Sequence, residues 1–228
     1  MKKILLQLDT DAQASTFDSV VAIDAGVDEL LTRSDVDSGT AVGLIHGAMF
    51  TRGGDQLKNT AIFVGGSQVV DAERLMDVIG KTFFGPVRNS VMMDANGCNT
   101  TAAAAVVSAG KHLDLSSSNA IVLGGTGPVG LRAARMLASE GCRVLLSSRS
   151  EQRARAAAED IASKLDGGRV EGVEVLRGDQ VRALAEDAQI VIACGAAGVE
   201  LMSAEDLSAL PDLKVAVDLN AVPPAGLG

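Results

Sequence analysis

Three glycines, Gly125, Gly127 and Gly130, satisfy G-x-G-x-x-G within GGTGPVGLRAARML, directly after the apolar run Ala120 to Leu123. A strand, a glycine turn and an amphipathic helix in that order suit a diphosphate. Gly125 allows the tight turn, Gly127 lets the backbone approach the pyrophosphate, and Gly130 lets helix pack on strand. Thr126, Pro128 and Val129 complete the turn and the helix start, whose N–H groups would face the phosphates. Glycines also occur in ordinary strand-to-helix turns, so the local order carries this reading.

The next apolar run, RVLLSS, ends where a unit of this kind usually carries Asp or Glu to accept from a ribose 2′-hydroxyl. Ser147, Ser148 and Arg149 stand there instead. A 2′-phosphate would gain hydroxyl donors and a guanidinium fork in place of a like charge, so NADP is the predicted cofactor. Arg153, further along the following helix, would reach the same phosphate or cover the adenine. The plain alternative is a pair of solvated surface arginines. Two later strand ends, Cys194-Gly195-Ala196-Ala197-Gly198 and Asp218-Leu219-Asn220, would border the nicotinamide, because ligands bind outside the carboxyl ends of strands in open α/β sheets. Tight-turn formation explains the small residues at 194 to 198 equally well.

The elements that must hold these residues are legible as short apolar runs: KILLQL, TAIFV, SVMMD, NAIVLG, RVLLSS, VEVLR, QIVIAC and KVAVDL. They alternate with longer segments of helical spacing, which predicts parallel strands joined by crossover helices. The runs show no in–out alternation, as expected for sheets covered on both faces. One helix is expected from about Asp71 to Phe83. An Ala-rich one, capped by Thr100 or Thr101, is expected to reach about Leu113. The polar stretch LDLSSSN, Leu113 to Asn119, predicts a boundary between a substrate domain, 1–115, and a dinucleotide-binding domain, 116–228.

Composition narrows the partners. The chain has 228 residues, 47% hydrophobic and 21% charged, with no Trp or Tyr, so it is globular and its core is aliphatic. A net charge of −9 argues against binding a nucleic-acid backbone. Cys98, Cys142 and Cys194 lack metal or disulfide spacing and read as reduced core residues, and no metal site is expected. No apolar run is long enough for a membrane span or a secretory leader, so a cytoplasmic protein is expected.

The strings QLDTD, FDSVVAIDAG, TRGG, AIFVGG, FFGPVR and DANGCNTTAAA, with GTGPVG and the ending VDLNAVPPAGLG, resemble the bacterial NADP-dependent methylenetetrahydromethanopterin dehydrogenases, some of which use methylenetetrahydrofolate. The resemblance spans almost the whole chain. It implies two three-layer α/β domains, the C-terminal one of Rossmann type, with an interdomain cleft and a homo-oligomeric assembly. The family chain is expected to continue beyond Gly228.

The implied reaction moves a hydride from a methylene carbon between two nitrogens to nicotinamide and leaves a methenyl cation, with no proton to abstract from that carbon. The site then needs orientation and electrostatic support more than a general base. Asp94 and Asn99 are the candidates beside the reacting carbon, and Asp9, Asp11, Asp18, Asn96 and Thr100 the candidates for the pterin. Asp94 and Asn96 would serve equally as a turn leading into the capped helix, and Asp9 and Asp11 as a solvated strand end. His46 and His112 read as structural residues of helices. Without a Tyr, the cyclohydrolase chemistry of a related folate family is not expected. Two other readings stay open: a catalytically silent NADP(H)-binding or sensor protein, and an NADP-dependent reductase of a small carbonyl acid.

Overall fold

A computed structural model describes residues 1–165, 167–175, 178–220 and 222–228. The chain divides into two compact units, Met1–Asn99 and Thr100–Gly228.

In the first unit, β1 (Ile4–Asp9), β2 (Glu29–Arg33), β3 (Thr60–Gly65) and β4 (Ser90–Met93) form a parallel sheet in the order β2-β1-β3-β4. The helices between them are α1 (Thr16–Asp24), α2 (Ser38–Phe50) and α3 (Val69–Thr82). The chain reverses direction across the sheet after β2. Right-handed crossovers therefore put α1 on one face and α2 and α3 on the other. Leu8, Ile62 and Val64 of the sheet and Ile45, Met49, Leu75 and Ile79 of α2 and α3 are fully buried.

Helix α1 is built the other way round. Its Ser19 hydroxyl donates to buried Gln7 at 2.9 Å, and Gln7 Nε2 donates to the Ser15 carbonyl at 3.3 Å, so polar groups face the sheet. Phe17, Val20, Val21 and Ile23 face outward and are 76%, 51%, 49% and 58% exposed.

The second unit carries β5 (Asn119–Leu123), β6 (Arg143–Ser148), β7 (Val170–Glu174), β8 (Ile190–Ala193) and β9 (Val215–Asp218), all parallel, in the order β7-β6-β5-β8-β9. Helix α4 (Cys98–Gly110), α5 (Pro128–Ser139) and α6 (Glu151–Ser163) pack one core, around Ala105, Leu137, Leu146 and Ile161. On the opposite face, α7 (Gly178–Leu184) and α8 (Ala204–Ser208) accompany a second core that contains Ile121, Leu123, Val181 and Val191. This is a three-layer Rossmann-type unit. Among the described residues no helix is long and apolar enough to cross a membrane.

Several expectations are corrected. The strand ELLTR, β2, escapes the apolar-run criterion because it lies at a sheet edge and alternates between half-buried and exposed positions. β4 and β9 alternate likewise, so continuous burial holds only for central strands such as β5 and β8. The run VEVLR is displaced: β7 ends at Glu174, and Leu176 and Arg177 lie outside the described residues. Helix α4 starts at Cys98, ahead of Thr100 and Thr101, because the Asp94 carboxylate already accepts from Asn99 N at 2.8 Å. His112 lies in the turn after α4, its N–H on the Ala109 carbonyl at 3.0 Å. His46 is in α2, its ring 5.6 Å from that of Phe50. The division between units falls after Asn99, ahead of the expected 115/116, because Ala102, Ala105, Val106 and Ala109 of α4 bury into the C-terminal core.

Candidate functional site

The strand order of the second unit switches direction between β5 and β8, and a cavity of about 330 Å³ opens at their carboxyl ends. Its walls include Gly124, Thr126 and Gly127 after β5, Ser147, Ser148 and Arg149 after β6, and Cys194, Gly195 and Ala196 after β8. Arg153 of α6 lines it as well, with Val175, Val181, Val199 and Leu201 as apolar neighbours.

The turn itself differs from the expected division of labour. Gly124, not Gly125, takes the left-handed conformation, with φ +67°, and a Cβ on it would lie 2.8 Å from Gly195 Cα. Gly125 is needed for packing: its Cβ would meet Leu146 at 2.7 Å, and its N–H donates to the Ser147 carbonyl at 2.8 Å. At Gly127 a Cβ would make only ordinary contacts, with the Gly124 carbonyl at 3.6 Å and the Cys194 carbonyl at 4.0 Å. Pro128 sits in the first turn of α5, and the helix start has no side-chain cap. Such a start presents N–H groups with no intrahelical partner, suited to an anion. Gly125, Pro128, Val129 and Gly130 build this turn without lining the cavity.

At the end of β6 the backbone turns on Ser148. Its buried hydroxyl lies 3.2 Å from that of Thr126 and accepts from Ser150 N at 3.3 Å. Ser147 is buried too, whereas Arg149 and Arg153 are exposed at the cavity rim. Neither arginine forms an ion pair with a described residue. Two free guanidiniums, with no carboxylate at the end of β6, fit a dinucleotide carrying a 2′-phosphate.

Cys194 is half-buried in the cavity wall, and burial, with the Asp218 charge adding to it, pushes its thiol up to about 12. It is a neutral wall group at physiological pH. Asn220 does not line the cavity. Its Oδ1 accepts from Gly198 N at 3.2 Å and its Nδ2 donates to the Ala196 carbonyl at 3.4 Å, so it holds the loop that does. Asp218, at the start of the same expected strand end, does not line the cavity either and fastens the region by accepting from Gly226 N at 2.8 Å and Asn220 N at 2.9 Å.

In the first unit Asp9 closes β1, Asp11 follows it, Asp94 follows β4, and Asp18 lies in the first turn of α1. Asp9 is 1% exposed and its carboxylate accepts from Asp11 N and Ser15 N, each at 2.9 Å. Asp11 accepts from Ser67 N and Ser67 Oγ, each at 3.0 Å. A Cβ on Gly65 would stand 3.2 Å from Asp9 Oδ2 and 3.4 Å from Asp18 Oδ2. Burial raises the Asp18 carboxyl above the ordinary range, the Ser15 hydrogen bond opposes this, and the charges of Asp9 and Asp94 add to it. Asn96, with φ +50°, donates its N–H to the Gly66 carbonyl at 2.9 Å, and Asn99 Nδ2 donates to the Met93 carbonyl at 2.5 Å. Thr100 is exposed in α4 and belongs to the other unit. Gly65, Gly66 and Ser67 escaped sequence reasoning as site residues, and the doubled glycine was their one signal. Among the described residues, no His, Cys, Asp and Glu group is arranged to hold a metal ion.

Residues 16–96 match the family model for the N-terminal domain of methylene-tetrahydromethanopterin dehydrogenase. The bifunctional protein MdtA of Methylorubrum extorquens is 38% identical over 229 residues, covering 100% of this chain and 79% of that protein. The chain belongs to the methylenetetrahydromethanopterin dehydrogenase family. A second relative, the NAD(P)-dependent methylenetetrahydromethanopterin dehydrogenase of the same organism, is 35% identical, covering 99% of this chain and 78% of that one. Among solved structures, the quinate dehydrogenase of Corynebacterium glutamicum in complex with NAD superposes with a TM-score of 0.51 at 15% identity, covering 87% of this chain and 72% of that one. That likeness bears on the fold. In this methylenetetrahydromethanopterin dehydrogenase family member, the glycine turn and the acidic strand ends lie in separate units, each at the carboxyl edge of its own sheet.

Proposed function

We propose that the protein oxidises methylene-tetrahydromethanopterin, or methylene-tetrahydrofolate as a second substrate of the same kind, to the methenyl form with NADP as acceptor. The observation that carries the cofactor assignment is the end of β6, where Arg149, joined by Arg153, lines the cavity in the place of an acid. Membership of the family supports the reaction class.

When bound, the nicotinamide supplies an acceptor for a hydride. The chain supplies binding and orientation. Gly124, Gly127 and the start of α5 would receive the diphosphate, Arg149 and Arg153 the 2′-phosphate, and Gly195 and Ala196 a close, smooth wall for the ring. On the substrate side, Asp11, Asp18 and Asp94 offer acceptors to pterin N–H groups, whereas Asp9, buried and held by the N–H groups of Asp11 and Ser15, supports them from behind; their negative field favours the cationic product. Asn96 and Asn99 of the same unit complete that set. Reaction at a carbon flanked by two nitrogens needs no base, consistent with an acidic cluster that contains no histidine.

The net charge of −9 supports a small-molecule role over nucleic-acid binding, and we place the protein in the cytoplasm as a homo-oligomer. The test is a kinetic comparison of both methylene-pterins with NADP and NAD, followed by NAD(P)H absorbance. Turnover of at least one pterin with NADP is expected. Binding of NADP with no turnover of either would overturn the catalytic reading.

A further inference from the structure

Two carboxylates stand at the beginning of α6. Glu151, its first residue, pairs with Arg155 at 2.6 Å across one turn of helix. Glu174, the last residue of β7, is exposed and makes no ion pair with a described residue. Its Oε1 accepts from Glu151 N at 3.3 Å, so its charge occupies the anion position of the helix start.

That position borders the cavity. Glu174 is the strand partner of Ser148, and the residue after it, Val175, donates its N–H to the Ser148 carbonyl at 2.8 Å. Val175 lines the cavity together with Ser148, Arg149 and Arg153. The edge assigned to the 2′-phosphate thus carries two cations and one anion.

We infer that Glu174 is a specificity-determining residue that opposes the 2′-phosphate, moderating the preference for NADP so that NAD is admitted as well. This rests on the cofactor reading above. A 2′-phosphate entering beside Arg149 meets the Glu174 charge or displaces it from the Glu151 N–H. Either event costs binding free energy that a 2′-hydroxyl ligand does not incur. Because Glu174 is exposed, water and salt screen the effect, and it amounts to a few-fold change.

Calorimetric titration of the full chain with 2′,5′-ADP and with 5′-AMP tests this in wild type, Glu174→Gln and Arg149→Ala. Glutamine keeps the shape of the side chain and an acceptor for Glu151 N–H, and a thermal midpoint equal to wild type checks that the fold is intact. Glu174→Gln should tighten 2′,5′-ADP about three- to fivefold and leave 5′-AMP within about twofold. The gain should shrink at about 0.5 M salt. Unchanged or weaker 2′,5′-ADP binding, or equal tightening of both ligands, overturns the inference. If Arg149→Ala weakens 2′,5′-ADP while Glu174→Gln does not tighten it, this inference alone fails. If wild type binds neither ligand, or Arg149→Ala leaves 2′,5′-ADP binding untouched, the cofactor reading fails with it.

Discussion

Gly130 in α5 lies against Gly125 of the turn so closely that a Cβ on Gly130 would stand 2.6 Å from the Gly125 Cα and 2.8 Å from its carbonyl oxygen. Both partners are backbone, so no side chain can swing aside. Gly130→Ala must push α5 off the turn. A loss of about 1–3 kcal/mol is expected, with Tm falling by roughly 2–10 °C. Urea and thermal unfolding measure it, and wild-type stability would show that the helix shifts without cost.

Arg149 lines the cavity and makes no ion pair with a described residue, so removing it leaves no buried partner behind. Arg149→Ala should lower kcat/KM for NADP by about ten- to a hundredfold and change that for NAD little, since a charge-assisted bond to the 2′-phosphate is lost. Steady-state kinetics with both cofactors decide it. An unchanged ratio of NADP to NAD efficiency would remove Arg149 from the cofactor site.

Asp94 has two duties that can be separated. Its carboxylate accepts from Asn99 N at 2.8 Å, and its charge contributes to the field on Asp18. Asp94→Asn retains an acceptor for the N–H and loses the charge; Asp94→Ala loses both. If the charge supports hydride transfer, both variants lower kcat about tenfold or more while the dissociation constant for NADP stays within about twofold. Rescue of kcat by asparagine would leave Asp94 a purely structural residue.

Asp18 gives a pH signature of defined sign. Its folded pKa is raised by burial and by Asp9 and Asp94, so between the ordinary value and the folded one the native state binds more protons than the unfolded chain. Its ionised form therefore opposes folding above the folded pKa, and the opposition fades as pH falls toward about 4. Asp18→Asn should gain stability relative to wild type at neutral pH, and that advantage should narrow on acidification. Paired urea titrations across this range measure the difference; an advantage constant with pH would remove Asp18 as its source.

The glycine turn and the place of Arg149 at the cavity were legible because both depend on local order: a strand, a glycine run, and the residue closing the next strand. Which glycine turns left-handed was not legible. Gly124 is fixed by the approach of Gly195 from β8, a contact remote in sequence. The same holds for Asn220, whose type suggests a ligand contact but whose amide ties together residues 196, 198 and 224. Thr100 and Thr101 have the chemistry of a helix cap. The turn through Asn96 and Gly97 brings Asp94 to the helix first, and no residue-by-residue preference encodes that. Strand β2 was hidden by its edge position, where exposure removes the apolar signal that marks central strands.

The outward-facing phenylalanine and aliphatic residues of α1 bear on how the protein behaves at the bench. Fluorescent dyes that brighten on greasy surfaces should light up with the intact, folded protein, giving melting scans a high starting baseline. Such a signal reports native architecture, not a damaged preparation. Coenzyme titrations are better followed by the fluorescence of the reduced nicotinamide, which a chain without tryptophan or tyrosine leaves almost free of background.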